Sequence, residues 1–406
     1  KQSQRLDIYQ DYLKKLLGEK KAYYCFCATE DLEAKRQDQI SRGLAPKYDG
    51  TCRNLSEEKV NHDLAQGKKS VIRFHIENKK VTVHDLIRGE VEFDAGLLGD
   101  IVIAKNMETP LFHFTVVVDD FLMQVSHVIR GEEHLSNTPR QMLLQEALGF
   151  YHPIYAHIPL FLNPDKSKMS KRQGDVALKD FHTSGYLPEA IINFVVLLGW
   201  NPGTEKDIFT LDQLVKEFSI EKVQKSGAVF NLQKLDYLNG YYIREKAIGK
   251  LTKLCLPYLA EFDTAQYSEK TLEKIVEAYQ ARLKKLSDIK EFTDFFFAEK
   301  LRFDKKILGW KEMGDREVAD SLQYSAIIIE AAKDLDKKSL EEILSKAAEK
   351  FNTEKGYPEK NKGYLLWPLR VALSGKEASA SPFEIIEALG KEKTLQRIQD
   401  AIDILK

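Results

Sequence analysis

Cysteine is scarce in this chain, with 4 among 406 residues. That is too few for a disulfide framework, so a reducing, cytoplasmic setting is the expectation. Long apolar runs are also missing. None approaches the roughly 20 residues a helix needs to cross a bilayer, and nothing at the start reads as a signal peptide, so no membrane partner is expected. Charge of one sign is missing too: 61 Lys and Arg stand against 62 Asp and Glu, a formal net charge of −1. This excludes a protein that coats nucleic acid through bulk charge, and leaves room for a specific RNA reader whose basic stripe is balanced elsewhere. With 43% hydrophobic and 30% charged residues the composition is that of an ordinary soluble protein, and its length predicts two to four domains. The first residue is Lys1 rather than Met, so the sequence is expected to begin inside a longer gene product.

Chemistry is densest at Ser167-Lys168-Met169-Ser170-Lys171-Arg172-Gln173-Gly174-Asp175, which follows the turn-like Asn163-Pro164-Asp165-Lys166. Three lysines, an arginine and two serines fall within residues 166–172. A loop of this composition suits a polyphosphate, because cations neutralise developing phosphate charge and backbone N–H groups add fixed dipoles. No glycine-x4-glycine-lysine run surrounds it, so it is not a Walker loop. Alone, a basic turn of this kind also fits a merely solvated surface.

Taken in order, residues 5–17 have helical spacing ending at Gly18, and Ala22 to Cys27 reads as a short strand. Thr29 is the expected N-cap of the charged helix that follows. Cys25 and Cys27 on a strand end, with Cys52 further on, can bring three thiolates around one metal; Tyr48 offers a phenolate, and the alternative is three cysteines in a small core. From Ser70 to Phe93 apolar and polar residues alternate as in strands, and residues 99–104 add another. His75, His84 and His113 lie in or beside strands without a spaced partner for a metal. The apolar run Phe114 to Val118, ending in Asp119-Asp120, reads as a buried parallel strand. Val128 to Arg130 and Ile154 to Phe161 read as two more, with a helix starting at Asn137 between them. Arg130, at a strand terminus, can take a substrate carboxylate as a two-pronged fork, or pair with Glu132 or Asp120. Beyond Arg244 the pattern is helical throughout. It includes Ser339 with Glu342 as an expected capping box, and Ser381-Pro382-Phe383-Glu384 opening a helix that Gly390 closes. Trp310 and Trp367 fit either a helical core or stacking on unpaired bases.

Three blocks stand in one order: Val116-Val117-Val118-Asp119-Asp120, then Val128 through Gln141 with its Arg130-Gly131-Glu132-Glu133-His134 core, then Lys168-Met169-Ser170-Lys171-Arg172. Together they resemble the active-site core of the bacterial-type glutamyl-tRNA synthetases, a class I aminoacyl-tRNA synthetase family. The likeness continues through Leu187-Pro188-Glu189-Ala190, Gly199-Trp200, Phe230 to Leu235 and Pro368 to Ala372, and so covers nearly the whole chain. It implies an α/β fold: a Rossmann-like nucleotide-binding domain over 1–26 and 110–176, here incomplete, and an α+β insert at 27–109 that takes the tRNA acceptor end. A stem-contact fold at 177–244 and an all-α anticodon-binding half at 245–406 follow. Glutaminyl enzymes carry a β-barrel where this chain is helical.

The resemblance implies ATP-dependent activation of L-glutamate and its transfer to tRNA(Glu), and to tRNA(Gln) as a further candidate, by a monomer. Mg2+ would accompany the ATP. Lys168, Ser170, Lys171 and Arg172 would meet the phosphates; Arg130, Phe112 and Val116 the substrate; Glu133, His134, Phe161 and Lys171 the ATP. Phe112 departs from the family's tyrosine and lacks its hydroxyl. The family's first signature motif, with the arginine and serine that read glutamate, falls before Lys1. Some members bind zinc through Cys-x-Cys…Tyr-x3-Cys-x-His, which implies Cys25, Cys27, Tyr48 and Cys52 here. The histidine position is Asn54, so Tyr48, His62 or a water would complete the set. A non-catalytic tRNA-binding or regulatory paralogue is the rival reading, and a nucleotidyltransferase with another acceptor is a third. Three cations in one loop favour the enzyme.

Overall fold

The structure is a computed structural model that describes residues 1–169 and 177–406. The elements run α1 (Leu6–Gly18), β1 (Ala22–Cys25), α2 (Thr29–Ser41), α3 (Glu57–Ala65), β2 (Val71–Phe74), β3 (Lys80–Asp85), β4 (Gly89–Asp94), β5 (Ile101–Ala104), α4 (Phe112–Leu122), β6 (His127–Gly131), α5 (Thr138–Leu148), β7 (Ile154–Ile158) and β8 (Phe161–Leu162). After them come α6 (Leu178–Thr183), α7 (Pro188–Gly199), α8 (Leu211–Glu217), β9 (Ala228–Val229) and α9 (Leu232–Arg244). The remainder is helical: α10 (Ile248–Cys255), α11 (Glu269–Gln280), α12 (Asp288–Phe297), α13 (Asp315–Ala331), α14 (Lys337–Lys355), α15 (Gly363–Ser374), α16 (Pro382–Leu389) and α17 (Lys391–Leu405), with short 3-10 turns between some of them.

Two compact units result. The first holds residues 1–169, 196–207 and 214–230; among the described residues the second holds 177–195, 208–213 and 231–406. In the first, β1-β2-β5 make an antiparallel sheet. A second sheet has the order β4-β3-β7-β6, antiparallel between β4 and β3 and parallel from β3 through β7 to β6. Tyr9, Leu13 and Leu16 of α1, Phe114, Val117 and Val118 of α4, and Leu144 and Leu148 of α5 join strand residues Ile72, Val83 and Tyr155 in one core. The short pair β8 and β9 is parallel.

The apolar run expected as a strand at 114–118 is instead the middle of α4. Phe114, Val117 and Val118 are buried and Phe121 packs behind them, which is the i, i+3, i+4, i+7 spacing of one helical face. Burying that face outweighs the strand preference of three consecutive valines. His113 accordingly lies on this helix, not beside a strand. Asp119 does not end a strand: it accepts bonds from the Tyr9 hydroxyl at 2.9 Å and Gln2 at 3.0 Å, and pairs with Arg5 at 3.0 Å.

The second unit packs the helices from α10 to α17 around one core that also includes Leu187, Ala190 and Ile243. At α16 the expected capping box is present. Ser381 and Glu384 bond each other's backbone N–H, Pro382 is the first helical residue, and Gly390 with φ 77° closes the helix. Two expected caps are elsewhere. The N-cap of α2 is Ala28, with no side-chain cap. The N-cap of α14 is Asp336, whose carboxylate accepts the Ser339 N–H at 3.0 Å. The Asp336 carboxylate captures the Ser339 N–H, which in a Ser339–Glu342 box would have gone to the Glu342 side chain.

Candidate active site

Parallel pairing places Arg130 of β6 directly beside His157 of β7, and Asp85, the last residue of β3, pairs with Tyr155. Three adjacent parallel strands thus end on three polar side chains, where ligands collect in open α/β sheets. The His157 side chain is fully buried and its Nδ1 lies 2.6 Å from Asp85 Oδ2. Asp85 Oδ1 accepts the N–H groups of Arg88 at 2.8 Å and Ile87 at 3.0 Å. Burial works against that carboxylate's charge, but these N–H groups and His157 hold its pKa below the usual range. Burial pushes His157 below the ordinary histidine value; Asp85 resists, while Arg130 and Arg88 add to the push.

Arg130 donates from Nε to His157 Nε2 at 3.1 Å, and from Nη2 to Thr138 Oγ1 and Gln141 Oε1, both at 2.8 Å. Its guanidinium carbon is 5.7 Å from the centre of the Tyr155 ring, whose hydroxyl is held by Gln145. Neither ion pair considered for it forms. Glu132 pairs with Arg88 and accepts the Leu160 N–H, and Asp120 makes no bridge to Arg130. With Nε and Nη2 engaged, a two-pronged grip through that edge is closed, and Nη1 is the nitrogen left to donate.

Around this arginine stand the other predicted residues. Glu133 and His134 lie on the 3-10 turn Glu132–Asn137 that follows β6, and His134 Nδ1 is 3.1 Å from the Asn137 amide. Phe112 opens α4 half-exposed, its ring 6.3 Å from that of His134. Next to it, His113 Nδ1 is buried without a partner, and burial, with Arg140, Arg130 and His134, holds its pKa down. Val116, one turn further on, is half-buried. Phe161, in β8, is partly exposed.

The approach to the basic loop is tightly tied. Asn163 N–H donates to the Ser167 carbonyl at 2.9 Å, Ser167 N–H to Asp165 Oδ1 at 2.9 Å, and Met169 N–H to the Phe161 carbonyl at 3.1 Å. Lys168 is exposed opposite Leu162. The predicted Ser170, Lys171 and Arg172 lie outside the described residues.

A second cluster gathers at the end of β1 and in the chain that follows it. The sulfurs of Cys25, Cys27 and Cys52 lie within 4.8 Å of one another, and Tyr48 Oη is 3.3 Å from Cys25 Sγ and 3.5 Å from Cys27 Sγ. Arg73 stacks 3.9 Å over the Tyr48 ring. Burial opposes ionisation of Cys25, yet Tyr48 and Arg73 bring its pKa below the ordinary thiol value, while burial and its sulfur neighbours push Cys27 up to about 11. Three sulfurs at this spacing and one oxygen fit tetrahedral zinc. His62 does not join them; its ring, on α3, bonds Gln66 just past the end of that helix at 2.9 Å.

Comparison with known proteins decides the family. Residues 1–237 match the model for "tRNA synthetases class I (E and Q), catalytic domain" and residues 250–402 the model for "Anticodon binding domain". A glutamate–tRNA ligase 2 from Thermoanaerobacter pseudethanolicus is 41% identical over 100% of this chain and 84% of its own length. This chain belongs to the class I tRNA synthetases of the bacterial glutamate type. A glutamate–tRNA ligase of Clostridioides difficile is similar at 40% identity, over 98% of this chain and 80% of its own. The crystal structure of a glutamate tRNA ligase from Elizabethkingia meningosepticum in complex with its amino acid superposes with a TM-score of 0.86 at 32% identity, over 100% of this chain and 84% of that one. Among the described residues of this synthetase, no helix is long and apolar enough to cross a membrane. The sequence singled out Arg130, Glu133 and His134, which the structure brings to the end of β6; it did not single out Asp85 and His157, which strand pairing sets beside Arg130. The one signal for them was polarity at the ends of otherwise apolar strands.

Proposed function

We propose that this glutamate–tRNA ligase holds the substrate carboxylate on Arg130 and the ATP phosphates on Lys168 and Lys171. The carrying observation is Arg130: a half-buried guanidinium bonded only by neutral acceptors at the ends of parallel strands. The glutamate α-carboxylate attacks the α-phosphorus of ATP, which enters with its Mg2+, and pyrophosphate leaves with its electron pair. A hydroxyl of the terminal tRNA ribose then attacks the glutamyl carbonyl and AMP leaves. Neither step needs a strong base; alignment and charge neutralisation carry the rate. Arg130 orients the amino acid, the apolar Phe112 ring and Val116 wall its pocket, Glu133, His134 and Phe161 border the nucleoside, and the lysines offset charge on the departing pyrophosphate.

The insert at 27–109 takes the acceptor end, supported by a cavity of about 240 Å³ whose lining includes Lys35, Arg36, Lys47 and Arg73. Beside it, Cys25, Cys27 and Cys52 with the Tyr48 oxygen hold one zinc ion, which crosslinks chain distant in sequence. In the helical unit, Trp310 and Trp367, 4.9 Å apart, line a cavity of about 360 Å³ with Arg282 and Arg370; unpaired anticodon bases and their phosphates suit it.

The test is glutamate-dependent, tRNA-dependent ATP–pyrophosphate exchange by the full-length enzyme. Wild type exchanges, and Lys171→Ala and Arg130→Ala each fall by about 100-fold or more, the loss expected when one aligned charge contact is removed. A folded, tRNA-binding protein without exchange would sink this reading. Metal analysis of the same preparation should give about one zinc per chain, and Cys52→Ser should lose it. Wild type with no zinc would remove the metal.

A further inference from the structure

We infer that Asp85 and His157 are positioning residues for glutamate activation: the buried pair fixes one imidazole tautomer, and that tautomer aims Arg130 at the substrate carboxylate. This rests on the reading of Arg130 as the substrate arginine, and goes beyond it by assigning the device that directs it.

The hydrogen-bond logic allows one arrangement. Arginine only donates. Its Nε–H meets His157 Nε2 at 3.1 Å, so that nitrogen must present a lone pair, toward which the Thr138 hydroxyl, also 3.1 Å away, can donate as well, and the imidazole proton must sit on Nδ1. There it faces Asp85 Oδ2 at 2.6 Å, which accepts it. Asp85 is itself fixed, because its other oxygen accepts the backbone N–H groups of Ile87, Arg88 and His157 at 3.0, 2.8 and 3.3 Å. The strand register that sets Arg130 beside His157 makes this geometry a property of the sheet.

The arrangement has a chemical consequence. A carboxylate in place of His157 would also orient Arg130, but it would cancel the guanidinium charge and compete with glutamate for it. A neutral imidazole orients without cancelling. Thr138 and Gln141 do the same at Nη2, and the Tyr155 ring supports the guanidinium face. All the bonds on Arg130 go to neutral acceptors, so no bonded carboxylate cancels its charge, and Nη1 is the nitrogen left to donate. The nearest acid in this chain of contacts, Asp85, is one residue removed, with the imidazole standing between it and Arg130; Asp85 and Asp120 act on the guanidinium only from a distance, without bonding it.

The experiment is pyrophosphate exchange by the full-length enzyme with tRNA present, reading KM for glutamate and for ATP separately. In Asp85→Asn the amide can supply an N–H where the carboxylate accepted one, which frees the imidazole to move its proton to Nε2, against the Arg130 donor. The expected result is a glutamate KM raised at least tenfold with the ATP KM within twofold. His157→Gln, whose amide oxygen can stand near the Nε2 position, should keep the glutamate KM within threefold, while His157→Leu should raise it like Asp85→Asn. On an Arg130→Ala background, Asp85→Asn should change kcat/KM for glutamate by less than twofold, because there is nothing left to aim. Equal rises in both KM values, or an Asp85→Asn effect that persists undiminished without Arg130, would show a structural pair and overturn the inference. If Arg130→Ala raises the glutamate KM and Asp85→Asn does not, the inference fails alone. If Arg130→Ala leaves that KM unchanged, the substrate reading fails and the inference with it.

Discussion

Protonation of one buried ring is the finest-grained control this site offers. His157 is faced by Asp85 from β3, by Arg88 from the turn after it, by Arg130 from β6 and by Tyr155 on its own strand, and its pKa lies below the ordinary 6.5. A depressed value means the fold favours the neutral ring. The stability and the Arg130 contact it supplies are therefore complete above about pH 6.5, and are lost as pH falls through the folded-state value. The expected outcome is a glutamate KM that is flat from pH 7 to 8 and climbs only on the acid side of pH 6.5, with His157→Gln flattening the acid limb; the same limb in the variant would place the titration elsewhere. Arg130 was legible because its neighbours in sequence, Gly131 to His134, form a motif. Asp85 and His157 were not: they are 72 residues apart, and nothing local reports that two strands will be laid side by side. Lone polar residues at strand ends carry no partner information until the register is known.

Among the elements, α4 shows how period can be hidden by composition. Phe114, Thr115 and three valines read as a strand, because β-branched and aromatic residues fill the run and alternation cannot be told from continuous burial. The helical signal lay outside the run, in Phe121 one turn beyond Val117 and Val118, and in the partners that Asp119 finds on α1. By contrast β6 and β7 were legible, since short apolar segments flanked by turn signals leave a strand as the economical reading. Capping divides in the same way. Ser381 and Glu384 were readable because Pro382 fixes the first helical position, whereas at α14 a serine three residues inside the helix was mistaken for its start. The difference is measurable. Asp336→Ala removes the acceptor of the Ser339 N–H and should lower the unfolding midpoint, as expected for a lost N-cap, whereas Ser339→Ala, which keeps that backbone bond and loses only the hydroxyl's own bond to Asp336, should lower it less. Urea unfolding of the two variants checks it, and a larger loss for Ser339→Ala would restore the serine as the cap.

Across the whole molecule, the helical half is not self-contained at the point where the sequence turns helical. Leu187 and Ala190 of the segment before α9 share a core with Leu369, Ile386 and Ile402. The Asn239 side chain is fully buried; its oxygen accepts the Leu187 N–H at 2.8 Å and its amide donates to the Lys284 carbonyl at 2.6 Å. Gly185, with φ 89°, lies so close to the next turn that a Cβ there would stand 2.7 Å from the backbone nitrogens of Leu286 and Ser287, and Leu286 N–H bonds its carbonyl at 3.0 Å. Cutting the chain after Arg244 removes all of these contacts and leaves the Lys284 carbonyl without its amide. One buried leucine lost from such a core costs about 2–5 kcal/mol, and in a unit of this size each kcal/mol moves Tm by roughly 2–4 °C. A fragment 245–406 should therefore melt about 10 °C or more below a fragment 178–406, followed by circular dichroism at 222 nm. Equal melting temperatures would mean that α10 to α17 form the folding unit alone, and that the segment from Gly185 to Asn239 is docked on a finished core.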